Sequence, residues 1–260
     1  MLRIESTSND KIKLAVKVAA SAKHRRETGL FFLEGLRLCR DAALTGYELE
    51  STFVTEAILE KFPEDIEIII SKSNNSYVIS ASVEQKLTQA QTPQGVFCLC
   101  KKRENKVDFD FNGKYIALEN IQDPANFGAI CRTAEALGIK GAITYSCCDL
   151  YNPKTQRAAM GSALRFPIFE TDNLCDTLSA LAEKGMKLFA TTPRSDADKI
   201  TRTAFDGGAV AVIGNEGNGV SEEVFALCRK ITIPMGGRAE SLNASMAAAI
   251  TMWEMMRNEE

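Results

Sequence analysis

The second half of the chain alternates short apolar segments with helical patterns, and this alternation constrains the fold more than any other feature. The apolar segments predict strands at residues 115–118, 141–145, 166–169, 187–190, 209–213 and 230–233. Helices are predicted near residues 123–137, 153–160, 173–184, 221–227 and 240–257. Strands separated by helices favour a mostly parallel sheet covered on both faces. The expected fold class is therefore α/β, with ligands at the carboxyl ends of the strands.

The first hundred residues predict a separate, smaller α/β domain. Helices are predicted at 11–22 and 35–44, and strands at 30–33, 53–54, 66–70, 77–79 and 95–100. The charged run 101–106 and the polar residues up to Gly113 interrupt the apolar pattern. We therefore predict a first domain at 1–100, a linker at 101–113 and a second domain at 114–260.

The amino-acid composition is that of a globular protein and argues against a membrane protein. A hydrophobic fraction of 45% and a charged fraction of 25% are ordinary for a globular protein. No apolar run reaches the roughly 18 residues of a membrane helix, and the first residues lack a signal-peptide core. These observations predict a cytoplasmic protein without a membrane partner. The net charge of −3 means that only a local basic patch could attract nucleic acid.

Histidine and cysteine usage argues against metal chemistry. The single histidine, His24, excludes a histidine-rich metal site and makes a Ser-His-Asp triad a poor hypothesis. The eight cysteines form no C-x-x-C pair, and most lie in apolar surroundings. Small buried thiols explain them better than disulfides or zinc ligands. We expect no bound metal.

The strongest local motif is a glycine-rich loop between a strand and a helix, at residues 209–222. Gly214, Gly217 and Gly219 permit close backbone approach to a ligand. The spacing from Gly214 to Ser221 resembles a phosphate-binding P-loop, but Val220 replaces its lysine, and the G-x-G-x-x-G dinucleotide pattern is absent. An ATP- or NAD-binding enzyme is thus the weaker hypothesis, and a purely structural turn is the simplest alternative.

Two further polar clusters follow predicted strands. In residues 119–132, Asn126 lies in the first helical turn and Arg132 interrupts an apolar run. That arginine is either a solvated surface residue or an anion clamp. In residues 231–245, a strand and a Gly-Gly loop precede a helix start whose polar residues exceed the need for one cap.

Together the three clusters resemble the motifs of the SpoU (TrmH-type) branch of the SPOUT RNA methyltransferases. Residues 126–132 match motif one, 213–221 match motif two, and 233–235 with 240–245 match motif three, in the family's order. Residues 158–162 and 164–167 resemble the segment between motifs one and two. Residues 31–38 resemble the small ribosomal-protein-like substrate-binding domain that precedes the catalytic domain in ribosomal RNA ribose methyltransferases of this family.

The resemblance implies a fold and a reaction. Such enzymes transfer a methyl group from S-adenosylmethionine to a ribose 2′-hydroxyl of structured RNA, and their sheet ends in a C-terminal trefoil knot whose loops bind the cofactor. Ribosomal RNA is the expected substrate, with transfer RNA as the alternative. The implied cofactor-binding residues are Thr191, Thr192, Gly214, Asn215, Glu216, Gly219, Ile233, Met235, Leu242, Asn243 and Ala244.

The resemblance also implies catalytic roles. Arg132 is the implied base or base-assisting group. Because arginine normally stays protonated, we favour a role in holding phosphate and stabilising the developing alkoxide. Its implied polar partners are Asn126, Glu216, Ser241 and Asn243, with Glu216 expected to orient Arg132. A non-catalytic RNA-binding protein that kept this fold remains an alternative hypothesis.

Two surface patterns predict partners. The segment between Asp10 and Glu27 is rich in basic residues and has no acidic ones, and the next predicted helix adds Arg37. This pattern predicts RNA contacts by Lys23, Arg25, Arg26 and Arg37. A solvated helix face is the alternative explanation. The last helix carries Met246, Ile250, Trp253 and Met256 at helical spacing, which predicts a homodimer through the catalytic domain unless these side chains pack in the core.

Overall fold

The computed structural model describes residues 1–103, 108–194 and 196–257. The strands are β1 (Leu2–Ile4), β2 (Leu30–Glu34), β3 (Leu49–Val54), β4 (Ser76–Ile79), β5 (Val96–Lys101), β6 (Lys114–Glu119), β7 (Gly141–Tyr145), β8 (Ile168–Glu170), β9 (Lys187–Thr191), β10 (Asp198–Lys199), β11 (Ala209–Ile213) and β12 (Arg229–Thr232). The helices are α1 (Asp10–Ala20), α2 (Ala22–Thr28), α3 (Leu36–Leu44), α4 (Glu56–Lys61), α5 (Pro63–Ser71), α6 (Ala81–Leu87), α7 (Pro124–Ala136), α8 (Pro153–Ala159), α9 (Leu174–Glu183), α10 (Glu222–Leu227) and α11 (Ala244–Met256).

The first compact unit comprises the described residues before the 104–107 gap together with Asp149–Arg165. Its five-stranded sheet has the order β1-β4-β3-β5-β2. β1, β4 and β3 are parallel, whereas β5 is antiparallel to both β3 and β2. One core cluster lies around α3 and α5 and another around α1 and α6, so both faces of the sheet are covered.

The second unit comprises the described residues of 108–148 and those from Phe166 onward. Its seven strands pair in the order β10-β12-β9-β11-β6-β7-β8, and every pairing is parallel. Side chains of α9 and α10 pack into one core cluster, while α11 packs against α7 and contributes to another. The prediction of an α/β fold with a mostly parallel sheet is confirmed, and the trefoil knot stays a prediction. None of the helices in the described ranges is both long and apolar enough to cross a membrane.

The predicted strand at residues 66–70 is wrong, because this segment lies in helix α5. Pro63 occupies the first turn, where its missing N–H costs nothing, and Glu64 and Asp65 favour the positive end of the helix dipole. Ile66 and Ile69 are buried on one helical face. Three consecutive isoleucines suggested a strand, but the turn chemistry before them decides the structure.

The predicted helix at 11–22 is two helices, and the break changes the interpretation of the basic segment. Ser21 is extended, and its hydroxyl accepts a hydrogen bond from the backbone N–H of His24, which starts α2. This break turns Arg25 inward, where it is only 2% exposed. Its guanidinium donates to Asp149 and to the carbonyls of Val18 and Ala19.

Arg25 is therefore not available to RNA, and its predicted role as an RNA contact is wrong. A charge this deeply buried is tolerated because a carboxylate and two carbonyls satisfy it. The neighbouring Lys23 and Arg26 on α2 and Arg37 on α3 are exposed, as the RNA-binding hypothesis requires.

The domain boundaries also differ from the predicted ones. Residues 149–165, predicted to belong to the second domain, pack with the first unit, and the Arg25–Asp149 ion pair of 2.6 Å helps to hold them there. Within the predicted linker, Lys101 ends β5, residues 104–107 lie outside the described residues, and Phe109 packs against the rings of Tyr115 and Phe169. The end of the predicted linker is therefore part of the second unit.

Candidate active site

A cavity of about 470 Å³ lies at the carboxyl ends of β9 and β11 in the second unit. Three segments that are distant in sequence build it: the residues after β9, the glycine loop after β11 and the stretch between β12 and α11. Ten of the eleven predicted cofactor-binding residues line the cavity, namely Thr191, Thr192, Gly214, Asn215, Glu216, Gly219, Ile233, Met235, Leu242 and Ala244. The predicted catalytic residue Ser241 lines it as well.

The glycine loop closes on itself at the strand end. The backbone N–H and carbonyl groups of Asn215 and Gly219 bond each other at 3.0 and 2.9 Å. Gly219 has a φ of +71°, which favours glycine. A Cβ at Gly214 would overlap the peptide between Gly219 and Val220, so only glycine permits this close turn. The loop therefore forms a fixed wall of the cavity.

The hydrogen bonds of the loop argue against a phosphate cradle. The backbone N–H groups of Gly217 and Asn218 donate to Asn215 Oδ1, at 2.9 and 3.0 Å. In a P-loop such groups point to phosphate oxygens, and a lysine supplies the positive charge. Here an internal side chain accepts from the amides, and the position of the lysine is held by the buried Val220. The geometry does not favour the NTPase alternative.

A chain of side-chain amides connects the three motifs. Asn126 Nδ2 donates to Glu216 Oε1 at 3.0 Å, and Asn243 Nδ2 donates to Asn126 Oδ1 at 3.0 Å. Asn243 Oδ1 in turn accepts from the hydroxyl and the backbone N–H of Ser245. Each amide therefore has a fixed orientation, and together the amides hold the Glu216 carboxylate beside the cavity.

Asn243 is the one predicted cofactor-binding residue that does not line the cavity, and its side chain bonds Asn126 and caps α11. The predicted helix at 240–257 begins only at Ala244, because Asn243 accepts from the first backbone amides. Ser241 and Leu242 precede the helix and are thereby left to line the cavity.

The environment of Glu216 keeps it ionised. Burial alone would raise its pKa, but hydrogen bonds from Asn126 and from the backbone amides of Glu216, Gln122 and Asp123 outweigh that effect. The pKa of Glu216 therefore lies below its ordinary value. A carboxylate held in this way can accept a hydrogen bond from a cation or a ribose hydroxyl at neutral pH.

Arg132 is exposed on α7 and does not contact Glu216 within this chain. Among the described residues, it forms no hydrogen bond or ion pair. The expected Arg132–Glu216 bond is absent from the structure, in which the Glu216 carboxylate accepts from Asn126. The guanidinium is therefore available to a partner molecule.

Sequence reasoning missed Asn120, which supports the glycine loop. Asn120 has a φ of +58°, and its carbonyl accepts from Asn215 Nδ2 at 2.8 Å. Its own N–H donates to the Tyr145 carbonyl. Asparagine tolerates this left-handed conformation better than most residues, so an asparagine directly after a buried strand was the available signal.

The fold and the cavity define a class of protein first: a parallel α/β protein with a cavity at the carboxyl ends of its strands, where such sheets usually bind their ligands. Family models specify the class further. The model of the SpoU rRNA Methylase family matches residues 113–253, and that of the MRM3-like substrate binding domain matches residues 9–98. The chain belongs to the SpoU rRNA methylase family of RNA methyltransferases.

Individual relatives agree over nearly the whole chain. The chain is 31% identical to the 23S rRNA (guanosine(2553)-2′-O)-methyltransferase RlmP of Bacillus subtilis, covering 98% of this chain and 99% of that protein. A solved structure of an AdoMet-bound rRNA methyltransferase from Sinorhizobium meliloti is 26% identical, with a TM-score of 0.88 and coverage of 98% and 97%. The AdoMet complex of the SpoU methyltransferase AviRb from Streptomyces viridochromogenes, at 23% identity over 96% of this chain and 98% of that one, shares the fold with a TM-score of 0.86.

Proposed function

We propose that this protein transfers the methyl group of S-adenosylmethionine to a ribose 2′-hydroxyl of RNA, with ribosomal RNA as the favoured substrate and transfer RNA as the alternative. The observation that carries the proposal is the position of the hydrogen-bonded chain Glu216–Asn126–Asn243 beside a cavity lined by the other motif residues. The similarity to a 23S rRNA 2′-O-methyltransferase supports ribose over base as the acceptor.

The cofactor is S-adenosylmethionine, and the cavity fits its nucleoside part. When bound, the cofactor supplies an electrophilic methyl group, so the chain has to orient the acceptor hydroxyl and manage its proton. Ile213, Ile233 and Leu242 provide apolar contact for an adenine ring, and backbone groups of the glycine loop lie at the same wall. The Gly214 turn keeps side-chain atoms out of that wall.

Arg132 and Glu216 have different roles in this proposal. Glu216 is an anion held in place by Asn126, which suits it to accept from the acceptor ribose or from a guanidinium. Arg132 has no partner among the described residues, so its charge can hold an RNA phosphate and stabilise the alkoxide that develops on the 2′-oxygen. The proposal requires no metal ion.

Calorimetry of the full chain tests the cofactor assignment. We expect S-adenosylmethionine and S-adenosylhomocysteine to bind better than a triphosphate, because none of the described lysines lines the cavity and the Gly217 and Asn218 amides are bonded to Asn215. ATP and NAD serve as matched ligands that share the adenosine group. Tighter binding of ATP or NAD than of both methionine-derived ligands would refute the assignment and restore the nucleotide-enzyme hypothesis.

We propose that RNA binds the exposed basic side chains of the first unit. Replacing Lys23, Arg26 and Arg37 together with alanine is expected to weaken RNA binding at every sequence. The slope of log affinity against log salt should flatten by about one unit per lost phosphate contact. Filter binding over a salt series measures both quantities, while cofactor affinity should stay unchanged.

A charge-matched triple variant controls for the loss of positive charge. Lys140, Lys184 and Lys187 are exposed near the amino ends of the strands of the second unit, at the opposite edge from the cavity. Their replacement with alanine should leave the salt slope intact. Equal slopes for wild type and the Lys23, Arg26 and Arg37 variant would place the RNA-binding surface elsewhere.

We propose that the protein is a homodimer through α11. Met246, Ile250 and Trp253 are 54%, 38% and 58% exposed, so core packing within the chain does not account for them. Met256, the fourth predicted contact, is half-buried. The opposite face of α11 is buried and includes Ala248 and Met252. The helix is therefore apolar on both faces, which is typical of a helix that packs against a second partner.

Replacing Trp253 with glutamate is therefore expected to dissociate the dimer, since it would place a charge in an apolar interface. Light scattering at micromolar concentration should give twice the chain mass for wild type and the chain mass for the variant. Lys184→Glu, on an exposed position of the same unit, serves as the control. A wild-type protein that scatters as a single chain would contradict the proposal.

A further inference from the structure

A second cavity, of about 700 Å³, lies within the first unit. It is located where β3 and β4 end and β5 begins, with Thr55, Ser80 and Gly95 among its lining residues. Because β1, β3 and β4 are parallel, this is the carboxyl edge at which α/β sheets bind ligands. Its volume is within the range of about 300–1,000 Å³ that is typical of small-molecule sites.

The rim of this cavity is pre-formed. The Glu34 carboxylate is buried and accepts from the Thr88 hydroxyl at 2.5 Å and from the Gln89 backbone N–H at 2.8 Å, which anchors the loop before β5. Gly35 has a φ of +104°, and a Cβ there would lie 2.5 Å from Gln94 Oε1. The buried carboxylate thus anchors the loop before β5, and the left-handed Gly35 leaves room for the Gln94 side chain beside it.

Gly95 closes the rim from the other side. Its φ is +71°, and a Cβ there would lie 2.6 Å from Thr55 Oγ1 and 3.0 Å from Ile58 Cβ. The Gly95 carbonyl accepts from the backbone N–H of Thr55. Close backbone packing therefore fixes the loop against the start of α4, so little ordering remains to be done when a ligand binds.

The lining combines a flat apolar wall with groups that accept hydrogen bonds. Leu36, Ile58, Phe62 and Pro93 supply the apolar part. The carboxylate of the half-buried Glu84 and the amide of Gln94 line the same cavity. An aromatic side chain beside directional polar groups is the arrangement by which proteins bind unpaired bases of RNA.

The cavity lining has two carboxylates and two cations, so it has no net positive charge that would attract phosphate. The Arg3 guanidinium is already held by Glu5 at 2.9 Å and by Glu56 at 2.5 Å. Glu56 and Glu84 both line the cavity, and Lys61 is the other cation in the lining. Carboxylates repel a phosphate group but accept from the amino groups of adenine, cytosine and guanine.

We propose that this cavity receives one unpaired, amino-bearing base of the RNA substrate, with Phe62 stacking on the base and Gln94 and Glu84 bonding its edge. The inference rests on the proposed function, because it takes RNA as the substrate. The match of residues 9–98 to the MRM3-like substrate binding domain includes all cavity-lining residues except Arg3. The basic side chains of α2 and α3 would bind the backbone, whereas this cavity would read a base.

Kinetics with ribosomal RNA from a strain that lacks the gene tests the proposal. Gln94→Ala and Phe62→Leu are each expected to raise the KM for RNA roughly tenfold, as the loss of one base contact would. The kcat and the affinity for S-adenosylmethionine should not change, and neither should the salt slope of RNA binding, since no phosphate contact is lost. Lys72→Ala, at an exposed position outside the cavity, is the matched control.

Ultraviolet cross-linking of the wild-type chain to the same RNA gives a readout that is independent of activity. Nucleotide adducts on the peptides that contain Phe62 or Gln94 are the expected result. Unchanged KM in both variants, or adducts confined to other peptides, would overturn the proposal. A wild-type protein that methylates no ribose yet forms these adducts would refute the proposed function and leave the base-binding cavity standing.

Discussion

Replacing Arg132 with alanine is expected to lower the rate of methyl transfer by about a hundred- to a thousandfold, the usual effect of losing one charge-stabilising donor. The affinity for S-adenosylmethionine should stay nearly the same. Single-turnover transfer to RNA, measured beside calorimetric cofactor affinity, separates the two effects.

The position of Arg132 explains why its loss should affect the rate of methyl transfer and not the affinity for the cofactor. The cavity is lined by residues after β9, by the glycine loop and by residues before α11, and Arg132 is not among them. Its side chain is exposed on α7. A charge that acts only as the 2′-hydroxyl loses its proton affects turnover rather than ground-state binding.

Two variants sharpen the test of Arg132. Arg132→Lys keeps the charge but loses the planar fork, so we expect it to be nearly as slow as the alanine variant. Arg229→Ala removes an exposed arginine of the same unit that pairs with Asp198, and it should transfer at the wild-type rate. Near-normal turnover by Arg132→Ala, or loss of its cofactor binding, would contradict the assignment.

Replacing Arg25 with alanine is expected to destabilise the protein by about 3–5 kcal/mol, the usual cost of breaking a buried ion pair from one side. The substitution removes the cation that pairs with the Asp149 carboxylate, and the carbonyls of Val18 and Ala19 lose their hydrogen-bond donor. Urea unfolding of the full chain followed by circular dichroism measures the loss.

The neighbouring Arg26 provides a close control for Arg25. Both residues lie on α2, but Arg26 is exposed, so Arg26→Ala should change the free energy of unfolding little. Conversely, Arg26→Ala should contribute to weaker RNA binding, whereas Arg25→Ala should affect RNA only through stability. Equal stability of the two variants would show that the Arg25–Asp149 pair does not hold α2 and residues 149–165 together.

The fold of the second unit could be predicted from sequence because short segments of the chain identify its strands and the motifs that follow them. The central strands β6 and β11 carry continuous apolar runs, which fits a parallel sheet covered on both faces. Each motif follows a strand, and parallel strands bring their carboxyl ends to one edge. The cavity residues therefore come together from spacing and topology, without knowledge of any side-chain contact.

The first unit shows where such reasoning fails. Arg25 belongs to a basic run, and only the break at Ser21 turns it towards Asp149, a residue far along the chain. The apolar run around Ile66 and Ile69 is short enough to fit either a strand or a helix. The cavity beside Gly95 is also formed by long-range packing, because its lining comes from five separate segments.

The hydrogen-bond partners in the active site could not be predicted from the sequence either. The motifs predicted that Asn126, Glu216 and Asn243 would be neighbours, but not that Asn126 would bond the carboxylate expected to hold Arg132. Side-chain pairing of this kind depends on distances of about an ångström, which sequence spacing does not determine.

Methylation of ribosomal RNA from a strain that lacks the gene tests the central claim most directly. The purified protein and labelled S-adenosylmethionine are incubated with this RNA, which is then digested to nucleosides and separated by chromatography with mass detection. The account predicts label in a single 2′-O-methylated nucleoside, and about a hundredfold less label, or lower still, with Arg132→Ala in the same reaction time. Label on a base-methylated nucleoside, or no label although the cofactor binds, would contradict it.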